Sequence, residues 1–206
     1  MILKRIETPF IKSKLLYATP HNSFYQDMYS AFGLKDALVH PELYDRLMEL
    51  EEQLAQKQLI LVIYDAFRPL AVQKFMYETA PDYIKPYIAP PPEPDSKRGF
   101  HPRGVAIDCY LTDINGIPLP SPTEPDAFYP GYEKDPTYPQ YLKKCHRDYN
   151  GPDITPEQKN NRTLLEEMMK SVGLEGLPHE WWHFNLPNAW EYPLIESLKD
   201  VKIIFS

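Results

Sequence analysis

Two stretches of the chain carry residue types suited to hydrolytic chemistry. They are Arg98-Gly-Phe-His-Pro-Arg-Gly-Val-Ala-Ile-Asp-Cys-Tyr-Leu111 and, much later, Glu180-Trp-Trp-His183. Histidine nitrogens and carboxylate oxygens are ligands that zinc takes at about 2.0–2.2 Å, and a catalytic zinc keeps three of them with one position open for water. From Val105 to Leu111 the side chains alternate as in a strand: Val105, Ile107, Cys109 and Leu111 on one face, Ala106, Asp108 and Tyr110 on the other. The first face is apolar and belongs against a core. The second sets a carboxylate beside a small alanine, which leaves space over Asp108. His101, in the Pro/Gly loop before the strand, can fold back to that space. A third ligand must come from elsewhere, and His183 is the candidate, with Glu180 placed to work the bound water as a general base.

The run His179-Glu-Trp-Trp-His183 also matches H-E-x-x-H, whose two histidines bind zinc from one helix face. The context disfavours that reading. Pro178 and Pro187 bracket too short a segment, and Trp-Trp-His-Phe favours a strand. It would also leave His101 and Asp108 without work. In a strand over 181–186, His183 shares a face with Trp181 while Trp182, Phe184 and Leu186 face the core. Glu180 must then sit at a bend leading into the strand.

Several elements must hold these residues. Pro41 to about Lys57 reads as one helix, with Pro41 at its first position and Leu43, Leu47, Leu50 and Leu54 as its apolar stripe. Leu59 to Tyr64 is a continuous apolar run, expected as a strand buried on both faces. A helix follows Asp65-Ala-Phe-Arg-Pro69, with Val72, Phe75 and Met76 inward and Pro81 as its stop. Thr155 and Gln158 have capping-box spacing, which starts a third helix with the stripe Leu164, Leu165, Met168 and Val172, closed by Gly173. Leu15 to Asn22 suggests a short strand, and Val201 to Phe205 a last one. The mixture has no regular βαβ rhythm, so the expected fold is α+β: a single domain over 1–206 with a central, largely antiparallel sheet flanked by helices and the metal site at its edge or cleft.

Composition narrows the function. A net charge of −7 with no basic stripe argues against nucleic acid as a partner. No apolar run approaches the roughly eighteen residues a membrane span needs. The N-terminus has no apolar leader, so a cytoplasmic protein is expected. Cys109 and Cys145 make no disulfide framework, and Cys109 reads as a small buried hydrophobe. The 23 prolines and 15 tyrosines concentrate in 83–94 and 117–141, read as long ordered loops of the functional kind. His21, His40 and His146 read as surface residues, His179 as either exposed or a support for the metal site, and the two tryptophans as packing, with Trp181 also placed to meet substrate.

The pattern His101-x-x-Gly104-x-Ala106-x-Asp108, followed by Glu180-x-Trp182-His183, resembles the zinc D,D-peptidases. Tyr17-Ala-Thr-x-x-Asn22, Tyr64-Asp-Ala-Phe-Arg-Pro69 and Glu180-Trp-Trp-His-Phe184 narrow the resemblance to the D-alanyl-D-alanine dipeptidases known from vancomycin resistance. The resemblance implies one Zn²⁺ per chain on His101, Asp108 and His183, Glu180 as general base, Arg68 as the active-site arginine and Tyr17 lining the substrate pocket; a guanidinium there suits either the anionic intermediate or, as a bidentate clamp, the substrate carboxylate. It departs from the family at Gly99, where a serine is usual, and in the length of the segment between Asp108 and Glu180. Asp126 is given no role. The implied activity is hydrolysis of the free D-alanyl-D-alanine dipeptide, with a small dipeptide as partner and self-association left open. The alternatives are a carboxypeptidase or endopeptidase acting on larger peptidoglycan peptides, and a non-catalytic zinc-stabilised binding domain.

Overall fold

A computed structural model describes residues 1–82, 84–93, 96–126, 134–196 and 198–204. Its framework is a five-stranded sheet made of β2 (Ile11–Ser13), β4 (Leu59–Asp65), β5 (Ala106–Asp113), β7 (His183–Asn185) and β6 (Glu175–Gly176), side by side in that order. Only the β2–β4 pair is parallel; the other three pairings are antiparallel. A second, three-stranded sheet joins β3 (Leu38–Val39), β1 (Ile2–Arg5) and β8 (Lys202–Ile204), with β1 and β8 parallel. The scattered apolar residues of the opening segment gave no sign of β1 or β2. No helix among the described residues is long and apolar enough to cross a membrane.

Strand β4 is the buried apolar run foreseen, and it ends in a register shift between Ile63 and Asp65 opposite β5. In β5 the core face behaves as its alternation requires, with Ile107 and Cys109 fully buried. Ala106 is also fully buried and Asp108 nearly so, so the second face is covered as well. The site therefore lies in a cleft over the middle strand of the sheet, not at an edge strand.

The helical readings need adjustment. The expected helix from Pro41 to Lys57 is two, α1 (Pro41–Met48) and α2 (Glu51–Lys57). At the break the Leu50 amide donates to Leu47 O, a tighter three-residue closure, and Leu43, Leu47, Leu50 and Leu54 all stay fully buried. In α3 (Leu70–Thr79), Val72 and Met76 point inward but Phe75 is exposed, and Gln73 is buried in its stead. Helix α5 (Pro156–Ser171) carries the complete Thr155/Gln158 capping box, and Gly173 follows it with φ +74°. Its buried face includes Arg162 and Met169, whereas Leu164 is half-buried. A short helix, α4 (Tyr138–Lys143), precedes it.

Two expected strands differ. Residues Leu16–Ala18 form a 3₁₀ turn instead, because the Asn22 amide donates to Thr19 O and Gln26 O and its carbonyl accepts from the Phe24 amide. Local side-chain bonds of this kind compete with a strand ladder. Near the other site segment only His183–Asn185 pair as a strand, and Trp181 and Trp182 form the turn before it.

Candidate metal centre

The loop carrying His101 is a single 3₁₀ turn, His101–Arg103, closed by Gly104 at φ +70°. A left-handed residue here must be glycine for a second reason: a Cβ on Gly104 would lie 2.8 Å from Leu3 Cδ2. The turn is tied on three sides, by His40 N to Gly104 O (2.7 Å), Arg68 N to His101 O (3.3 Å) and Ile195 N to Pro102 O (3.0 Å). His101 is thereby brought against Asp108 on β5, and the ladder pairs Asp108 directly with His183 on β7.

The three side chains converge. His101 Nε2 lies 3.2 Å from Asp108 Oδ2 and 3.3 Å from His183 Nδ1, and His183 Nδ1 lies 2.9 Å from Asp108 Oδ1. All three residues are buried, and among the described residues they alone form a group able to hold a metal ion. Two ligands about 2.1 Å from one tetrahedral ion would stand roughly 3.4 Å apart, so these separations suit a shared ion. The proton inventory points the same way. His101 Nδ1 lies 2.7 Å from Ala66 O, a contact that only an N–H can make well, so the neutral imidazole turns its Nε2 lone pair toward a carboxylate oxygen. Burial lowers the His101 pKa but Asp108 more than offsets this and raises it, so this position favours a cation, whether a proton or a metal ion. The donor set of two imidazoles and one carboxylate fits zinc. Burial would raise the Asp108 carboxyl, but the two histidines outweigh it and hold the group well below the usual carboxylate range. Burial lowers His183, keeping its imidazole neutral as a ligand must be.

Glu180 stands at the bend before β7 with Oε2 3.8 Å from His183 Nδ1. Burial, and after it the charges of Asp108 and Asp126, raises its carboxyl well above the ordinary value. Arg68 Nη2 lies 3.8 Å from Asp108 Oδ2. Its charge is secured by Asp65, which overcomes the opposing effect of burial and raises the guanidinium well above its ordinary pKa. Tyr17 is buried, its ring 5.4 Å from the Arg68 guanidinium carbon. All six residues line one cavity of about 460 Å³, so every residue singled out for the site in the sequence is brought to it.

Four further residues were missed. Asp65, fully buried, accepts from Tyr29 Oη (2.5 Å), the Ala66 amide (2.9 Å) and Arg68 Nε (2.9 Å), with Arg68 Nη2 close beside. Gln73 accepts from Arg68 Nη1 (2.8 Å) and donates to Ala89 O (2.6 Å), which ties the arginine to the first Pro-rich loop. Asp126 accepts from Tyr17 Oη at 2.5 Å and faces the same cavity. Burial, then the charge of Asp108, pushes its carboxyl up to about 7. For Asp65 a signal existed, an acid three residues before Arg68 at a strand end; Asp126 stands in Pro125-Asp-Ala-Phe128, a weak likeness to a family loop that gave it no role, and Tyr29 and Gln73 had none. Of the second Pro-rich loop, residues 127–133 lie outside the described residues. His146 and His179 are not isolated, their rings meeting at 4.9 Å, and His40 accepts from the Glu42 amide as the cap of α1.

Comparison with known proteins gives likenesses of family. Residues 143–201, which contain Glu180 and His183, match the peptidase M15 family model described as D-ala-D-ala dipeptidase. A D-alanyl-D-alanine dipeptidase of Escherichia coli (strain K12) is 33% identical over 138 residues, 66% of this chain and 60% of that protein. One of Synechocystis sp. (strain ATCC 27184 / PCC 6803 / Kazusa) is 27% identical over 158 residues, 64% of this chain and 62% of that protein. The matches thus span about three-fifths of those relatives' own lengths. A solved structure described as "Structure of the LdcB LD-carboxypeptidase reveals the molecular basis of peptidoglycan recognition" covers 81% of this chain and 71% of its own at 16% identity and TM-score 0.37, too loose a likeness to carry an argument. By its family match and these two relatives, the chain is similar to the peptidase M15, D-ala-D-ala dipeptidase, family.

Proposed function

We propose that this site hydrolyses the free dipeptide D-alanyl-D-alanine, with a zinc ion on His101, Asp108 and His183 and Glu180 as the general base. The observation that carries the reading is the convergence of the three ligand atoms, all within 4.8 Å of one another, with a fourth, unshared carboxylate on the same cavity wall. A site of structural zinc has no use for Glu180 beside an open position, which weighs against a non-catalytic domain.

The ion would supply Lewis acidity for the peptide carbonyl and lower the pKa of a water from about 15.7 to near 7. Glu180 accepts a proton from the attacking water and returns it to the nitrogen of the leaving amine. Arg68 faces charge that develops on the carbonyl oxygen. Its Nε/Nη2 edge is held by Asp65 and one Nη1 proton by Gln73, with Tyr29 also bonded to the guanidinium, so its donors are fixed in place. Held beside Asp108, these donors need not reorganise during reaction, and one such donor is worth a few kcal/mol. Asp126, ionised, suits the ammonium group of an unblocked dipeptide. The cavity, walled on one side by Tyr87, Ile88 and Ala89 of the first Pro-rich loop, has room for the dipeptide. The D configuration follows from the family.

The test is incubation of the zinc-loaded protein with D-Ala-D-Ala, L-Ala-L-Ala and a pentapeptide ending in D-Ala-D-Ala. Cleavage of the first alone is expected, and Glu180→Ala should keep the metal while losing about 10²–10⁴-fold in kcat. Release of D-alanine from the pentapeptide would move the assignment to a carboxypeptidase. Full turnover by Glu180→Ala would remove the glutamate from the mechanism.

A further inference from the structure

The base and the third ligand belong to one tight turn, and what closes that turn comes from outside it. Glu180 and His183 are separated only by Trp181 and Trp182, and the turn's own closing bond, His183 N to Glu180 O, is long at 3.4 Å. Arg147, in the connection between α4 and α5, spans the gap. Its Nη2 donates to both Glu180 O (3.1 Å) and His183 O (2.9 Å), and its Nε to Leu177 O (3.2 Å). The guanidinium carbon lies 4.5 Å from the centre of the Phe184 ring, which fixes its plane. Around it, Arg147 N donates to Pro178 O and Trp181 N to Cys145 O, both at 2.9 Å, so the two segments are stitched together on either side of the side chain. Arg162 of α5 anchors the Arg147 segment in turn, donating to His146 O at 3.3 Å.

We propose that Arg147 is a positioning residue of the metal site, holding the Glu180–His183 turn in the register that lets base and ligand meet one ion. This rests on the functional reading above. The two N–H bonds of one Nη nitrogen serve both carbonyl oxygens, and a charged donor makes the stronger bonds. Gly176 on β6, paired with Phe184, makes the space. A Cβ there would meet Arg147 Nη2 at 2.2 Å, Cζ at 2.3 Å and Nε at 2.6 Å, the three nearest atoms all belonging to this one side chain. The backbone of Gly176 is not in the left-handed region, so its reason for being glycine is the guanidinium.

Three variants test this, read by the absorption spectrum of the Co²⁺-loaded protein, by chelator competition for Zn²⁺ and by kcat and KM. Arg147→Ala should alter the cobalt spectrum, weaken zinc about 10–100-fold, as loss of a group supporting a ligand does, and lower kcat with little change in KM. Added guanidinium ion should restore part of both. Gly176→Ala should move the same readouts by pushing the retained Arg147 guanidinium off the two carbonyls, and the double variant should match Arg147→Ala alone. Should Arg147→Ala fail to fold, Gly176→Ala decides. A cobalt spectrum and zinc affinity unchanged in either single variant overturn the proposal, as does a double variant whose losses simply add. Wild-type protein that takes up no ion would sink the metal-site reading itself, a result distinct from a normal wild type beside an indistinguishable variant.

Discussion

At the scale of single residues, the site is a set of charges held by buried partners. Asp65 is spent on Arg68 and Tyr29, and Asp126 faces the cavity through Tyr17. The pKa of Asp126, pushed up to about 7 against an ordinary value near 3.9, has a consequence for stability. Between about pH 4 and 7 the folded state binds more protons at this carboxyl than the unfolded state does. Stability is therefore lost as pH rises through that window. Asp126→Asn removes the effect. In metal-free protein its Tm advantage over wild type should grow from pH 4 to 7 and level off above. A difference flat with pH would mean that the carboxyl titrates normally.

The loops and turns decide where those residues stand. Gly99 takes φ +72°, and a Cβ there would meet Pro92 at 2.6–2.9 Å. The first Pro-rich loop is thus packed on the position where the family usually carries a serine, so the missing hydroxyl goes with a closer wall of the cavity. Gly99→Ser, the change toward the family pattern, should consequently destabilise by at least about 1–2 kcal/mol from the left-handed backbone alone. It should also raise KM by displacing Pro92. Thermal melts and initial rates check both; an unchanged Tm with improved KM would show that the loop yields freely. Other elements were legible because local signals and tertiary demands agree in them. The capping box of α5 and the buried run of β4 are of this kind. Leu15 to Asn22 was misread because Asn22 offers the backbone bonds that a strand would otherwise need.

Across the whole molecule, the metal triad draws on parts of the chain far apart in sequence: a loop tied to β3, the middle strand of the larger sheet and its neighbour β7. Loading the ion should therefore tie these parts together and stabilise the fold as a unit. Free zinc at about 100 times its Kd contributes roughly 2.7 kcal/mol, which for a domain of this size is roughly 5–11 °C in Tm. Differential scanning calorimetry with zinc and after chelation should show that rise and its reversal. His183→Ala should melt at the same temperature under both conditions. Equal melting of wild type with and without zinc would count against a shared ion.

What the amino-acid sequence determined by itself was the candidate set. His101, Asp108, His183 and Glu180 are legible as candidates because their types and spacing resemble a known zinc pattern, one on an alternating strand and one before a bend, and Arg68 because it follows a buried strand. Only the tertiary structure decided how they are held. Asp65, Gln73, Asp126 and Arg147 act through contacts that the fold makes between distant segments, or through carbonyl oxygens common to every residue. A side chain whose partner is backbone carries no mark in the sequence, because the identity of the residue it holds does not matter to the bond.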